Sequence, residues 1–188
     1  MTDELILASG SPQRRAILAQ LDIPFTVVPA DIDEIGAGDP VEVARANALA
    51  KARAVAGRYP GRVVLGVDTI VALDGEIFGK PGSAMEALDT LKRLSGRTHE
   101  VVSGLALLRP RNPQVVHEVT KVTFRTLGAE LLQRYVQSGE WAGRAGGYAI
   151  QGQGAALVRA ISGDYLNVVG LPVAAMLDLD LSLILRQD

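Results

Sequence analysis

The sequence predicts an α/β protein built on a mixed sheet, and three observations carry the prediction. Short Leu/Ile/Val runs interleave with segments of helical periodicity. An Asp74-Gly75 pair between two apolar runs signals a two-residue hairpin, which argues for a mixed sheet over a purely parallel one. The core must be aliphatic, because 48% of the 188 residues are hydrophobic and only 4% aromatic. This length can bury a substantial interior, so residues 1–188 are read as a single domain.

The elements follow in order. Residues 5–8 read as a buried strand, broken by Ser9-Gly10-Ser11-Pro12. Residues 14–21 read as a helix with Ser11 as N-cap and Pro12 at its first position. Residues 24–29 form a second short strand, and an Ala-rich helix covers about 40–57. Residues 63–67 are apolar and β-branched, and 70–73 and 76–78 flank the hairpin turn, so Asp68 and Thr69 fall at a strand end or a hairpin start. Ser83 to Glu86 matches a capping box, and the helix it opens carries Leu88, Leu91 and Leu94 before Ser95-Gly96 ends it. Two long strands, 99–108 and 114–125, are joined by a turn over 110–113. Residues 130–137 are helical, 143–154 are glycine-dense and 155–161 form a strand. Pro172 opens a terminal helix with Val173, Met176, Leu177 and Leu181 on its apolar face.

Composition narrows the chemistry. With no cysteine, a thiolate metal site, a disulfide framework and a cysteine nucleophile are excluded. His99 and His117 are the two histidines, too few for a three-histidine metal centre. Nineteen Lys and Arg against 21 Asp and Glu give a net charge of -2 without a basic tail, so no nucleic-acid partner is expected. No signal-peptide core or membrane-length apolar run is expected either, which predicts a cytosolic protein without membrane contact.

Candidate site residues lie in short polar segments. The loop from Ser9 to Arg15 sets hydroxyls, backbone N–H groups and two guanidiniums at a helix N-terminus, an arrangement that suits phosphate. By itself the segment reads better as a capped helix start with solvated arginines, because it is neither a Walker loop nor a dinucleotide fingerprint. Asp31, Asp33, Glu34 and Asp68 are oxygen ligands of the kind Mg²⁺ or Mn²⁺ takes, although a solvated acidic turn explains the first two. Lys51 in the second helix and Lys80 read by default as surface lysines, although the Gly79-Lys80-Pro81 setting also suits aiming an ammonium at a triphosphate. Gln151 lies in the glycine-dense stretch, which reads equally as a flexible connecting loop and as a place where a ligand approaches the backbone closely. Trp141 and Tyr148 read as packing residues, and turn chemistry explains Asp164 and Asn167.

Taken together, these segments resemble the Maf family of nucleotide pyrophosphatases. The resemblance rests on LILASGSPQRR from Leu5, DIDE from Asp31, GVDT from Gly66, GKP from Gly79, LSGRTH from Leu94, YAIQG from Tyr148 and GDYLNVVGLP from Gly163. It spans nearly the whole chain in the family's order. It implies a twisted mixed sheet flanked by helices, two lobes with a central cleft as in inosine triphosphate pyrophosphatases, a divalent metal cofactor (Mg²⁺ or Mn²⁺) and a homodimer. The implied reaction cleaves a nucleoside triphosphate between its α and β phosphates.

The resemblance also implies roles. Asp68 matches the family's proton acceptor, while Ser9, Arg14, Glu34, Lys51 and Lys80 match positions that hold phosphates or metal. A carboxylate is too weak a base to deprotonate free water, so Asp68 would act on a water acidified by a metal that Glu34 shares. Thr69 and Gln151 agree with the branch acting on dTTP and UTP, which typically carries Arg at the position of Gln13. The branch acting on 7-methyl-GTP carries Trp, Gln and Glu at these three places, so the resemblance favours a pyrimidine nucleotide. Two alternatives stand beside it: a nucleotide-binding regulator of septum formation, and a purine pyrophosphatase acting on ITP or XTP.

Overall fold

Ser11 accepts from the Arg14 N–H and Pro12 supplies a pre-set φ, so a helix starts directly after the first strand. The computed structural model describes residues 5–110 and 112–185. Its elements are β1 (Leu5–Leu7), α1 (Pro12–Gln20), β2 (Phe25–Val27), α2 (Pro40–Ala56), β3 (Val64–Leu73), β4 (Glu76–Phe78), α3 (Ala84–Leu94), β5 (Thr98–Leu108) and β6 (Gln114–Phe124). They continue with α4 (Ala129–Ser138), β7 (Val158–Ser162), α5 (Tyr165–Val169), α6 (Val173–Leu179) and α7 (Ser182–Leu185). The strands form one mixed sheet in the order β2-β1-β3-β5-β6-β7, with β4 beside β3. Strand β1 is parallel to β2 and β3, and the remaining pairs are antiparallel.

Strand β3 opens a cleft. Strand β5 pairs along one edge of it from Val64 to Ala72. On the other edge β1 pairs only at Val64 and Leu65, and β4 only from Val71 to Leu73. The middle of that edge, around Asp68, has no strand neighbour among the described residues. Successive side chains of a strand point to opposite faces, yet at such an open edge both can reach one cavity. Asp68 and Thr69 do so here.

Helix α2 lies very close to one face of the sheet. A Cβ added at Gly66 would sit 2.2 Å from the Ala48 carbonyl oxygen, and one at Gly104 would sit 2.1 Å from that of Ala44. Gly104 is the cross-strand partner of Asp68. The fit of Ala44, Ala48 and Ala52 onto these glycines therefore brings the helix backbone down beside the carboxylate.

The opposite face carries two apolar clusters. One joins β1, α1 and α6 through Leu7, Leu18, Leu65, Leu105, Leu107 and Met176. The other joins α3, α4 and β6 through Leu91, Leu94, Val101, Phe124, Tyr135 and Tyr148. Both share β3 and β5, and the Thr69–Ser103 hydroxyl pair, 2.9 Å apart, falls between them. These are the two lobes.

Several local expectations need correction. The runs 63–67 and 70–73 are one strand, because Asp68 and Thr69 pair with Gly104 and Ser103 and bond their polar side chains laterally. Residues 152–156 form a 3₁₀ turn, and the following strand starts at Val158. Asp164 caps the short helix α5, and Asn167 is fully buried with its amide on Val101 O and Thr120 Oγ1. The terminal helix breaks at Asp180, so Leu181 is 56% exposed and does not belong to an apolar face. The predicted turn over 110–113 includes Arg111, which lies outside the described residues.

Candidate active site

A cavity of about 450 Å³ lies between the lobes, within the size range of small-molecule sites. Its lining includes Ser9, Gln13, Arg14, Glu34, Lys51, Asp68, Thr69, Lys80 and Gln151. The residues that the family resemblance assigned to phosphate, metal and base are thus brought to one space, whereas Arg15, Asp31 and Asp33 stay outside it.

Arg14 organises the loop between β1 and α1. It is buried, and its Nε donates to Gly170 O at 2.9 Å, Nη1 to Ser9 Oγ at 2.8 Å and Nη2 to Thr69 Oγ1 at 3.2 Å. Burial lowers its pKa from the ordinary value, and the negative charges of Asp68 and Glu34 oppose that shift. The planar fork lets one cation fix three segments at once. Ser9 Oγ also accepts from Ser11 N at 3.2 Å, and Ser11 Oγ donates to Gln13 Oε1 at 3.2 Å, so the loop is shaped before any ligand arrives.

Asp68 faces α2. Lys51 Nζ donates to its Oδ1 at 2.6 Å, and Asn47 Nδ2 donates to its Oδ2 at 3.0 Å. Lys51 Nζ also lies 2.8 Å from Glu34 Oε1, so two carboxylates meet at one ammonium. Lys51 and Asp68 are buried and Glu34 reaches solvent. Removing one partner of such a pair would leave an uncompensated buried charge.

The donors fit Mg²⁺ or Mn²⁺ in a particular way. Two carboxylates converging on one cation position match ions that take one or two protein oxygens and complete their shell with water and substrate phosphates. Among the described residues no group of three His, Cys, Asp or Glu side chains is placed to cage an ion. Asp31 and Asp33 are exposed and outside the cavity lining.

The far wall is a clamped loop. Gly146 N donates to Gly79 O at 3.0 Å, which ties the Gly79-Lys80-Pro81 turn to the loop carrying Arg144. Gly146 has φ +66°, and a Cβ there would lie 2.8 Å from Val71. Ala149 N donates to the Tyr135 hydroxyl at 3.0 Å, and the Glu140 carboxylate accepts from Gln153 N and Gly154 N. Gln151 stands exposed between these anchors. Tyr148 is both wall and core: it lines the cavity, packs edge-on against Phe124 and bonds His99 Nε2 at 2.8 Å. Burial raises the Tyr148 pKa.

The sequence matches the model of a family described as Maf-like protein over residues 4–180. This chain belongs to the Maf family. It is 52% identical over 172 residues to the dTTP/UTP pyrophosphatase of Symbiobacterium thermophilum, a match covering 90% of this chain and 89% of that protein. The proteins of that name from Moorella thermoacetica and Bacillus mycoides are 49% and 45% identical. Those matches cover 94% and 92% of this chain, and 93% and 92% of the respective relatives. A solved Vibrio cholerae protein aligns over 71% of this chain and 66% of its own at 15% identity, with a TM-score of 0.34.

Family motifs pointed to most residues that line the Maf cavity, but assigned no role to those that hold them. Asn47, Ser103 and the Gly170 carbonyl bond Asp68, Thr69 and Arg14 respectively, and Arg144 adds a cation to the lining. Only Asn47 left a sequence signal: a polar residue four before Lys51 on an otherwise Ala/Val helix face.

Proposed function

We propose that this Maf protein is a nucleoside triphosphate pyrophosphatase that hydrolyses the α–β phosphoanhydride to a nucleoside monophosphate and pyrophosphate. One observation carries the reading: a buried, doubly hydrogen-bonded Asp68 shares one cavity with Arg14, Lys51 and Lys80. The relatives named dTTP/UTP pyrophosphatase support it. We take residues 1–188 as one catalytic domain acting in the cytoplasm as a homodimer.

In this mechanism the triphosphate lies against the Ser9 to Arg14 loop and Lys80. Water attacks the α-phosphorus, its proton passes to Asp68, and the α–β bridging oxygen leaves with the pyrophosphate. Arg14, Lys51 and Lys80 neutralise the charge that develops on the leaving group, where phosphoryl-type reactions gain most. Mg²⁺ or Mn²⁺ held by Glu34 and Asp68 would supply Lewis-acid charge that makes water a better nucleophile. Lys51 already holds those carboxylates together, so they need little reorganisation to receive another cation.

The substrates we assign are dTTP and UTP. Gln151 on the rim offers a donor and an acceptor, which matches the N3–H and carbonyl edge of thymine or uracil. Thr69 is tied to Arg14, which links the base side of the cavity to the phosphate loop.

The test measures pyrophosphate release from dTTP, UTP, CTP, GTP, ITP and XTP with Mg²⁺ or Mn²⁺. Fastest turnover of dTTP and UTP is expected, with none above background after EDTA treatment. A preference for ITP or XTP would overturn the pyrimidine assignment, and silence on every nucleotide would overturn the enzyme. Asp68→Asn should keep a cooperative melt while kcat falls at least about a hundredfold, in the range of lost general-base catalysis.

A further inference from the structure

We propose that Asn47 is a positioning residue for this hydrolysis, fixing the Asp68 carboxylate directly and the Glu34 loop through the backbone of Ile35. The inference rests on the pyrophosphatase reading and deepens it. Asn47 is 2% exposed and projects from α2 one turn before Lys51. Its Nδ2 donates to both Asp68 Oδ2 and Ile35 O at 3.0 Å, and its Oδ1 accepts from Ile35 N at 2.8 Å. A carboxamide has two N–H donors and one carbonyl oxygen, and all are engaged.

The clamp matters because no other hydrogen bond to Ile35 is found among the described residues. The stretch from 28 to 36 belongs to no helix or strand, and the Ile35 side chain is 52% exposed. Apolar burial therefore does not fix this point of the chain. Asn47 does, at both the N–H and the C=O of one residue, and the preceding residue is Glu34. Its carboxylate reaches the same Lys51 ammonium that Asp68 holds. One amide thus anchors both carboxylate-bearing segments around the Lys51 ammonium that the carboxylates share, and no other uncharged group of its size supplies the same set. A leucine would leave Ile35 unbonded, and an aspartate would face Asp68 with a like charge.

The same geometry separates positioning from mere packing. Alanines already fill the α2 face at Ala44, Ala48 and Ala52, so helix packing alone does not require an amide here. Losing it should leave the cationic phosphate contacts of Arg14 and Lys80 in place while misaligning the reacting groups, and small misplacements cost rate steeply. Turnover should suffer more than substrate affinity.

The experiment compares wild type, Asn47→Leu and Asn47→Ser by steady-state pyrophosphate release from dTTP with Mg²⁺, and by amide hydrogen exchange of the nucleotide-free proteins. In the leucine protein kcat should fall at least about tenfold, with KM within about threefold of wild type. The Ile35 amide should exchange at least about tenfold faster, with α2 and β3 protection unchanged. Should the leucine protein fail to fold, the serine protein is read on the same terms.

Unchanged kcat overturns the proposal, whether or not Ile35 exchange rises. A loss of protection spread over α2 also overturns it, because that marks a folding role. A wild type inert toward every nucleotide defeats the pyrophosphatase reading instead, and the exchange comparison then decides alone whether Asn47 holds Ile35.

Discussion

Arg14 bonds three acceptors from three parts of the chain with one planar group: Gly170 O, Ser9 Oγ and Thr69 Oγ1. A lysine there keeps the charge but has a single point donor, so it cannot hold the loop, β3 and the end of α5 together. Arg14→Lys should therefore raise the KM for nucleotide about tenfold and lower the thermal midpoint by a few degrees, as buried acceptors lose their donors. Steady-state kinetics and a thermal melt check both, and a variant with wild-type KM would show that the phosphate loop does not depend on the fork. The same residue marks the limit of what the sequence reveals. Ser9 and Arg14 were legible because hydroxyls and guanidiniums at a helix start suit phosphate, and Thr69 only through the family resemblance. That Arg14 leans on a carbonyl 156 positions away was not, since local pattern carries no information about a partner brought close only by folding. Asn47 falls between these cases. Its spacing to Lys51 was visible, and its bond to Asp68 was not.

At the scale of elements, the close approach of α2 to β3 and β5 sets the distance between Asp68 and the side chains that hold it. Gly104 lies opposite Asp68 in the ladder, and a Cβ there would overlap the Ala44 carbonyl at 2.1 Å. Gly104→Ala must push the helix outward or deform the sheet, an overpacking cost of about 1–3 kcal/mol. Chemical denaturation should read that loss. Turnover should fall with it, because α2 carries both Asn47 and Lys51 away from the carboxylate. A Gly104→Ala protein with wild-type stability and kcat would mean that the seam is not tight. Element types were largely readable: the proline and serine starts, the capping box at Ser83 and the Asp74-Gly75 turn are local signals with local causes. The errors came where tertiary partners overrode local polarity. Asp68 and Thr69 looked like a strand break because they are polar. They continue the strand because α2 and Arg14 satisfy them sideways. Residues 155–157 looked like strand because they are small and apolar, but the chain must turn there to bring Gly154 under the Ala149 carbonyl.

For the whole molecule, the response to acid centres on one buried imidazole in one lobe. The lobe around α3 and α4 buries His99 at 1% exposure, edge-on to Phe124 and Tyr148, with Nε2 bonded to the Tyr148 hydroxyl and Nδ1 without a hydrogen-bond partner among the described residues. Burial pulls its pKa down to about 4, so it is neutral in the native protein at neutral pH. In the unfolded chain an exposed histidine titrates near its ordinary value, about 6.5. Between these two values the unfolded state binds a proton that the native state does not, so native stability must fall as pH drops through this window. The loss begins near pH 6.5 and levels off below about 4, where the native imidazole also protonates. From pH 7 to pH 5 it amounts to about 2 kcal/mol by the linkage relation. Urea unfolding at the two pH values measures it directly. His99→Phe fills the same aromatic site without a titrating group, so its stability difference should shrink by most of that amount, even though Tyr148 loses its partner and the variant is less stable overall. An equal pH slope in both proteins would place the acid sensitivity elsewhere. Because Tyr148 also lines the cavity, the aromatic cluster that stabilises this lobe holds one wall of the site. Acid that weakens the lobe should therefore lower nucleotide turnover in the same range in which it lowers the unfolding midpoint.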